Sequence, residues 1–142
     1  MPDESKMESL SMAARSGVDV RIMIPCMPDH PFVYKTTLYN AGKLIRDGER
    51  IYIYENGFMH AKTLSVDGEV CTAGSTNFDI RSFRLNFESN AVIYDKDVTA
   101  DMDERFMDDI KLSRPYTKED RDRISNLEKA AESISRLLTE IL

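Results

Sequence analysis

His60 opens the segment HAKTLSVDGEVCTAGSTN, in which His60, Lys62, Asp67, Gly74, Ser75 and Asn77 stand in a spacing that can hold a phosphate. Residues two apart on a strand project from one face, so His60 and Lys62 can meet a single substrate group. Asp67-Gly68 is a two-residue turn of the kind that closes a tight antiparallel hairpin, which would bring Gly74, Ser75 and Asn77 back beside His60. Lys62 then offers a point charge to a nonbridging oxygen. Ser75 and Asn77 offer directional hydrogen bonds that strengthen as charge gathers on a phosphoryl group. Asp67 falls at the turn, so its expected role, with Gly74, is structural.

The elements that must position this segment follow from periodicity. Met7, Leu10 and Ala14 recur at helical spacing over residues 4 to 16, with Gly17 as the stop. VDVRIMI (18 to 24) reads as a buried strand ended by Pro25, and residues 32 to 45 read as an amphipathic helix closed by Asp47-Gly48. Strands are predicted at 50 to 55, 62 to 66, 69 to 73 and 87 to 94, with an irregular or helical connection NFDIRSFRLN before the last. Residues 95 to 111 read as a helix with an acidic outer face. The whole predicts an α/β domain, a mixed β-sheet sandwiched between helices. Residues 1 to 112 would form this domain. Ser113-Arg114-Pro115 reads as a break, after which Ile124, Leu127, Ala131, Ile134, Leu138 and Ile141 mark a C-terminal amphipathic helix within 113 to 142, packed on the domain.

Composition narrows the function classes. The 142 residues carry 19 Lys+Arg against 25 Asp+Glu, a net charge of -6, which disfavours a large nucleic-acid footprint. No apolar run reaches the ~18 residues of a membrane span, and MPDESKMESL lacks the features of a signal peptide. Cys26 and Cys71 show no metal-ligand spacing and read as free thiols; no metal or cofactor is expected. His30, between Asp29 and Pro31, is a loop residue that could line a pocket mouth. Arg81 and Arg84 could hold a phosphate or pair with nearby acids, and Tyr52, Tyr54 and Phe58 read as core or pocket wall.

The pattern His60-x-Lys62-x4-Asp67-x6-Gly74-Ser75-x-Asn77 resembles the signature of the phospholipase D superfamily. GVDVRIMIP, the Asp29-His30 pair, GFMHAK and NFDIRSFRLNFE resemble the C-terminal half of its bacterial-type cardiolipin synthase branch. That resemblance implies transfer of a phosphatidyl group between two phosphatidylglycerol molecules, giving cardiolipin and glycerol through a phosphohistidine. One histidine attacks and a second protonates the departing alcohol, His60 being one of the two. It further implies that Glu88 holds the imidazole and that Lys62, Ser75 and Asn77 contact the phosphate. Such enzymes assemble one site from two motifs, whereas this chain has one. The implied partners are therefore a phospholipid substrate, a peripheral membrane surface, and a missing N-terminal half or a second copy of the chain. The implied location is the cytoplasmic membrane of a bacterium for the parent enzyme, with this fragment soluble. Hydrolysis of a phospholipid or nucleic acid, and an inactive dimerisation module, are the rival readings.

Overall fold

The computed structural model describes residues 4–27 and 31–125. Helix α1 (Glu4–Arg15) ends where Gly17 takes φ +94°, a left-handed conformation that favours glycine. Strand β1 (Arg21–Pro25) is followed by helix α2 (Pro31–Asp47), which opens on a proline, the residue best suited to a first helical position. Strand β2 (Arg50–Tyr54) then lies parallel to β1, Ile22 opposite Ile51 and Ile24 opposite Ile53, with α2 as the crossover. The four isoleucines share one face. Ile24, Ile51 and Ile53, with Ala41, Leu44 and Tyr116, form the core, against which Ile22 packs, together with Met7 and Leu10 of α1 and Leu38 of α2.

The hairpin is as its turn residues predict. Strands β3 (Thr63–Val66) and β4 (Val70–Gly74) pair antiparallel about Asp67 (φ +54°) and Gly68 (φ +66°), both left-handed as a type I′ turn requires. Helix α3 (Ile80–Arg84) follows, and strand β5 (Asn90–Ile93) pairs with β4. Helix α4 (Lys96–Lys111) is capped by Asp95, whose carboxylate accepts from the backbone N–H of Asp97 and Val98.

Two expectations are corrected. The hairpin does not join the parallel strands in one sheet: β3, β4 and β5 form a separate antiparallel sheet, and α4 packs against both. Ser113-Arg114-Pro115 is not a break. It belongs to strand β6 (Ser113–Tyr116), antiparallel to β2, so the first sheet has the order β1-β2-β6 and is mixed. β6 lies at a sheet edge, where a proline's missing N–H is tolerated. Helix α5 (Lys118–Arg123) is only six residues long, with a reciprocal Thr117/Asp120 capping box, and the chain is extended again at Ile124. The remainder of the expected C-terminal helix, from residue 126 on, lies outside the described residues, as does His30.

Candidate functional site

The site is built on the second sheet. β3 begins one residue after Lys62, and the ladder extends one step past it, the Gly74 N–H donating to the Lys62 carbonyl at 3.2 Å. This register sets Ser75 just beyond the strand end that faces Lys62. His60 is exposed, two residues further back, and its ring stacks on the exposed ring of Phe58 with centroids 5.7 Å apart and planes at 15°. The Lys62 ammonium donates to the His60 carbonyl oxygen at 2.7 Å, which ties the lysine head to the backbone beside the histidine. Thus the two residues meet at the site, but from the segment preceding the strand.

Gly74 is required by close approach. A β-carbon there would lie 2.3 Å from the Ser89 carbonyl oxygen and 2.6 Å from the Asn90 α-carbon, both backbone atoms that cannot swing aside. The bare crossing lets β5 bring Glu88 and Ser89 against Ser75. The Ser75 hydroxyl donates to Glu88 Oε2 at 2.5 Å and accepts from the Ser89 N–H at 3.0 Å, while the Ser75 N–H donates to the Ser89 carbonyl at 3.0 Å.

Glu88 is the hub of this arrangement. Its other oxygen accepts from the buried Ser82 hydroxyl at 3.0 Å and from the Asn86 amide at 3.2 Å. These donors hold its carboxyl below the usual range. The Ser75 hydroxyl contributes most, Asn86 next, then Ser82 and the Lys62 charge, against partial desolvation. Glu88 makes no hydrogen bond to His60, so the partner implied by resemblance is not the one this geometry supplies; the carboxylate orients Ser75 instead.

The remaining candidates are distributed as follows. Asn77 is exposed just past Ser75, and its carbonyl accepts from the Asp79 N–H at 2.8 Å. Asp67 sits in the hairpin turn, at the far end of β3 from His60. Arg81 is exposed on α3, and Arg84 is the last residue of that helix. Tyr52 and Tyr54 are half-buried on β2, away from the second sheet. Among the described residues no group of three or more His, Cys, Asp or Glu side chains could hold a metal ion, and no helix is long and apolar enough to cross a membrane.

Sequence reasoning missed Ser82 and Asn86. Ser82 is 4% exposed because Asp79, the N-cap of α3, accepts from its backbone N–H at 2.8 Å and turns the helix toward Glu88. The Asp-x-x-Ser spacing at 79 to 82 is a helix-start signal that could have placed Ser82 on the first turn.

With this geometry in place, comparison with known proteins is decisive. Residues 1–111 match the family described as cardiolipin synthase, PLD-like domain. The chain belongs to that family. It is 51% identical over all 142 residues to a cardiolipin synthase of Listeria monocytogenes serotype 4a (strain HCC23), and 48% identical to cardiolipin synthase 1 of Staphylococcus epidermidis (strain ATCC 12228 / FDA PCI 1200). It spans 30% and 29% of the length of these relatives. Its fold is similar to that of Nuc, a phospholipase D family member from Salmonella typhimurium. The TM-score is 0.71 at 23% identity, over 82% of this chain and 76% of that one. The α/β, phospholipase D-like architecture expected from sequence is therefore the observed one.

Proposed function

We propose that this chain supplies one of two motifs in the active site of a cardiolipin synthase, acting on phosphatidylglycerol at a bacterial membrane surface. One observation supports the reading: the hairpin register and the bare Gly74 crossing bring Lys62, tied to the His60 carbonyl, to the same end of the second sheet as Ser75 and Glu88. Family membership and the relatives' names supply the substrate class.

In the reaction, an imidazole nitrogen attacks the phosphorus of one phosphatidylglycerol. A nitrogen–phosphorus bond forms, the bond to the glycerol oxygen breaks, and a second histidine protonates the departing glycerol. The hydroxyl of a second phosphatidylglycerol then attacks the phosphorus. The nitrogen–phosphorus bond breaks, and the now neutral second histidine takes the proton. His60 is one member of the pair; the other comes from the remaining part of a longer protein or from a second copy. Lys62 balances charge on the nonbridging oxygens, aided by the Asn77 amide. Ser75 is a conditional donor. Its proton is committed to Glu88, so it reaches a phosphate only by turning off that carboxylate, as the charge developing in the transition state favours.

The test grafts these 142 residues in place of the matching segment of the Listeria relative and analyses the products of phosphatidylglycerol in mixed micelles by mass spectrometry. Cardiolipin from the graft, and none from its His60→Ala variant, is the expected result. Phosphatidic acid and glycerol without cardiolipin would replace the transferase reading with hydrolysis. Cardiolipin undiminished by His60→Ala would remove His60 from the chemistry.

A further inference from the structure

Helix α3 is turned against the usual rule. Among its described side chains the apolar Phe83 is 45% exposed and Arg81 is exposed, while Ser82 is 4% exposed. A short surface helix ordinarily buries its apolar residue and leaves a hydroxyl in water, because a buried hydroxyl costs free energy unless it is bonded. α3 is held in the reverse orientation from both ends. The Asp79 carboxylate accepts from the Ser82 N–H at 2.8 Å at the start, and the Leu85 and Asn86 N–H groups both donate to the Arg81 carbonyl, at 2.8 and 2.9 Å, at the finish. Outside, the Phe83 ring meets Phe78 edge-on with centroids 5.8 Å apart, and the Lys6 ammonium of α1 stands 3.9 Å from the Phe83 centroid.

What this reversal achieves is seen at Glu88. Four residues apart, Ser82 and Asn86 come to one side of the turn and converge on one atom. The Ser82 hydroxyl at 3.0 Å and the Asn86 amide at 3.2 Å both donate to Oε1. With Oε1 held twice, the carboxylate is fixed and Oε2 is aimed at Ser75, whose hydroxyl accepts in turn from the Ser89 N–H. Donors that stabilise the charged carboxylate also make it a weaker acceptor toward the Ser75 proton. The pair therefore has two effects on Ser75: it sets where the hydroxyl stands, and it loosens the bond that the hydroxyl must leave.

We propose that Ser82 and Asn86 are positioning residues for the transfer, a clamp on Glu88 Oε1 that aims Ser75 and lets its hydroxyl turn onto the phosphoryl group as charge develops. The proposal rests on the reading of Ser75 as a conditional donor given above. In the grafted enzyme, Ser82→Ala and Asn86→Ala should each lower kcat by about tenfold or more, toward the roughly hundredfold that a misplaced group can cost. KM should change by less than about twofold, since the interaction belongs to the transition state alone. Asn86→Gln, which keeps an amide donor at an exposed position, should recover most of the loss. In a Ser75→Ala background neither substitution should cost more, because the clamp acts through that hydroxyl. The 142-residue chain gives a readout without turnover. Its Ser89 amide resonance should move in Ser82→Ala and in Asn86→Ala, and that response should collapse once Ser75 is replaced by alanine. An unchanged kcat, a loss confined to KM, losses that persist in the Ser75→Ala background, or a Ser89 amide that stays in place would overturn the clamp while His60→Ala still abolishes cardiolipin. A graft that makes no cardiolipin would undo the phospholipid reading, and the Ser89 amide alone would then decide the clamp.

Discussion

The two three-stranded sheets are equal in strand number and opposite in character. In the first, β2 is central and covered on both faces, by α4 on one side and by α1 and α2 on the other, where Ile51 and Ile53 are only 2% and 3% exposed. In the second, Cys71 is the one strand residue among those described that is fully buried; it faces α4. The opposite face presents Leu64, Val66, Val92 and Tyr94, and Tyr94 is 84% exposed. The candidate chemistry sits on this second sheet. The buried core and the candidate chemistry thus lie in different halves of the structure, joined through α4, and substitutions should separate them.

The largest effect belongs to the closed sheet. Ile53→Ala removes three buried carbons from the centre of the core and should cost about 3 kcal/mol, lowering the denaturant midpoint with little change in its slope. Every probe should report the same shift. An effect under about 1 kcal/mol would mean that the first sheet does not carry the stability of the chain.

At the open sheet, Gly74→Ala forces a β-carbon against the Ser89 carbonyl and should cost about 1–3 kcal/mol in overpacking. Its signature is local. Amide exchange should quicken in β5 while protection in β1 and β2 is kept, and transfer activity in the grafted enzyme should fall with the loss of the Ser75–Ser89 pairing. Uniform loss of protection across both sheets would contradict their independence.

A smaller effect comes from Glu49, at the entrance to β2. It is 4% exposed and among the described residues neither carboxylate oxygen has a hydrogen-bond partner within bonding geometry, so burial, with the charge of Asp47 added, pushes its carboxyl up against the weaker opposing pull of its own backbone, Ser11 and Arg15. For an acid raised on folding, the native state prefers the protonated form, so the penalty is absent below the unfolded value and complete above the folded one. Glu49→Gln should therefore raise the unfolding midpoint at neutral pH, and the gain should vanish as pH falls below the ordinary glutamate range. A gain that is independent of pH would point to packing instead of charge.

This contrast between the sheets was partly legible in the sequence. Asp67-Gly68 specified its turn because a type I′ hairpin needs φ > 0 at both central positions, which Asp and Gly adopt more readily than other residues, and Gly17 and Gly48 marked real element ends through the same chemistry. His60, Lys62 and Ser75 followed from that hairpin. The division into two sheets did not follow, because strand partners are chosen by contacts distant in sequence, and β6 was concealed by a proline that an edge position makes harmless. The partners of Glu88 were hidden for a related reason. They depend on how α3 is turned by its Asp79 cap, a geometry that residue types announce but do not orient.

The smallest predicted effect distinguishes two descriptions of the open sheet's site. If Glu88 is chiefly a charge partner of Lys62, Lys62→Ala should raise its carboxyl most; if it is chiefly the acceptor that orients Ser75, Ser75→Ala should. The geometry favours the second, since the Ser75 hydroxyl is 2.5 Å away while Lys62 is tied to the His60 carbonyl. Following the Glu88 carboxyl carbon by NMR should give an upward move toward the ordinary value in Ser75→Ala, a lesser one in Asn86→Ala and the least in Lys62→Ala. Because the carboxyl is lowered on folding, its contribution to stability is complete above the unfolded value and is lost as pH falls through the lower folded value. Ser75→Ala should therefore soften the acid limb of the stability profile and leave the neutral-pH shape unchanged. A larger response to Lys62→Ala would make Glu88 an electrostatic partner of the lysine, and the hydroxyl's hold on it incidental.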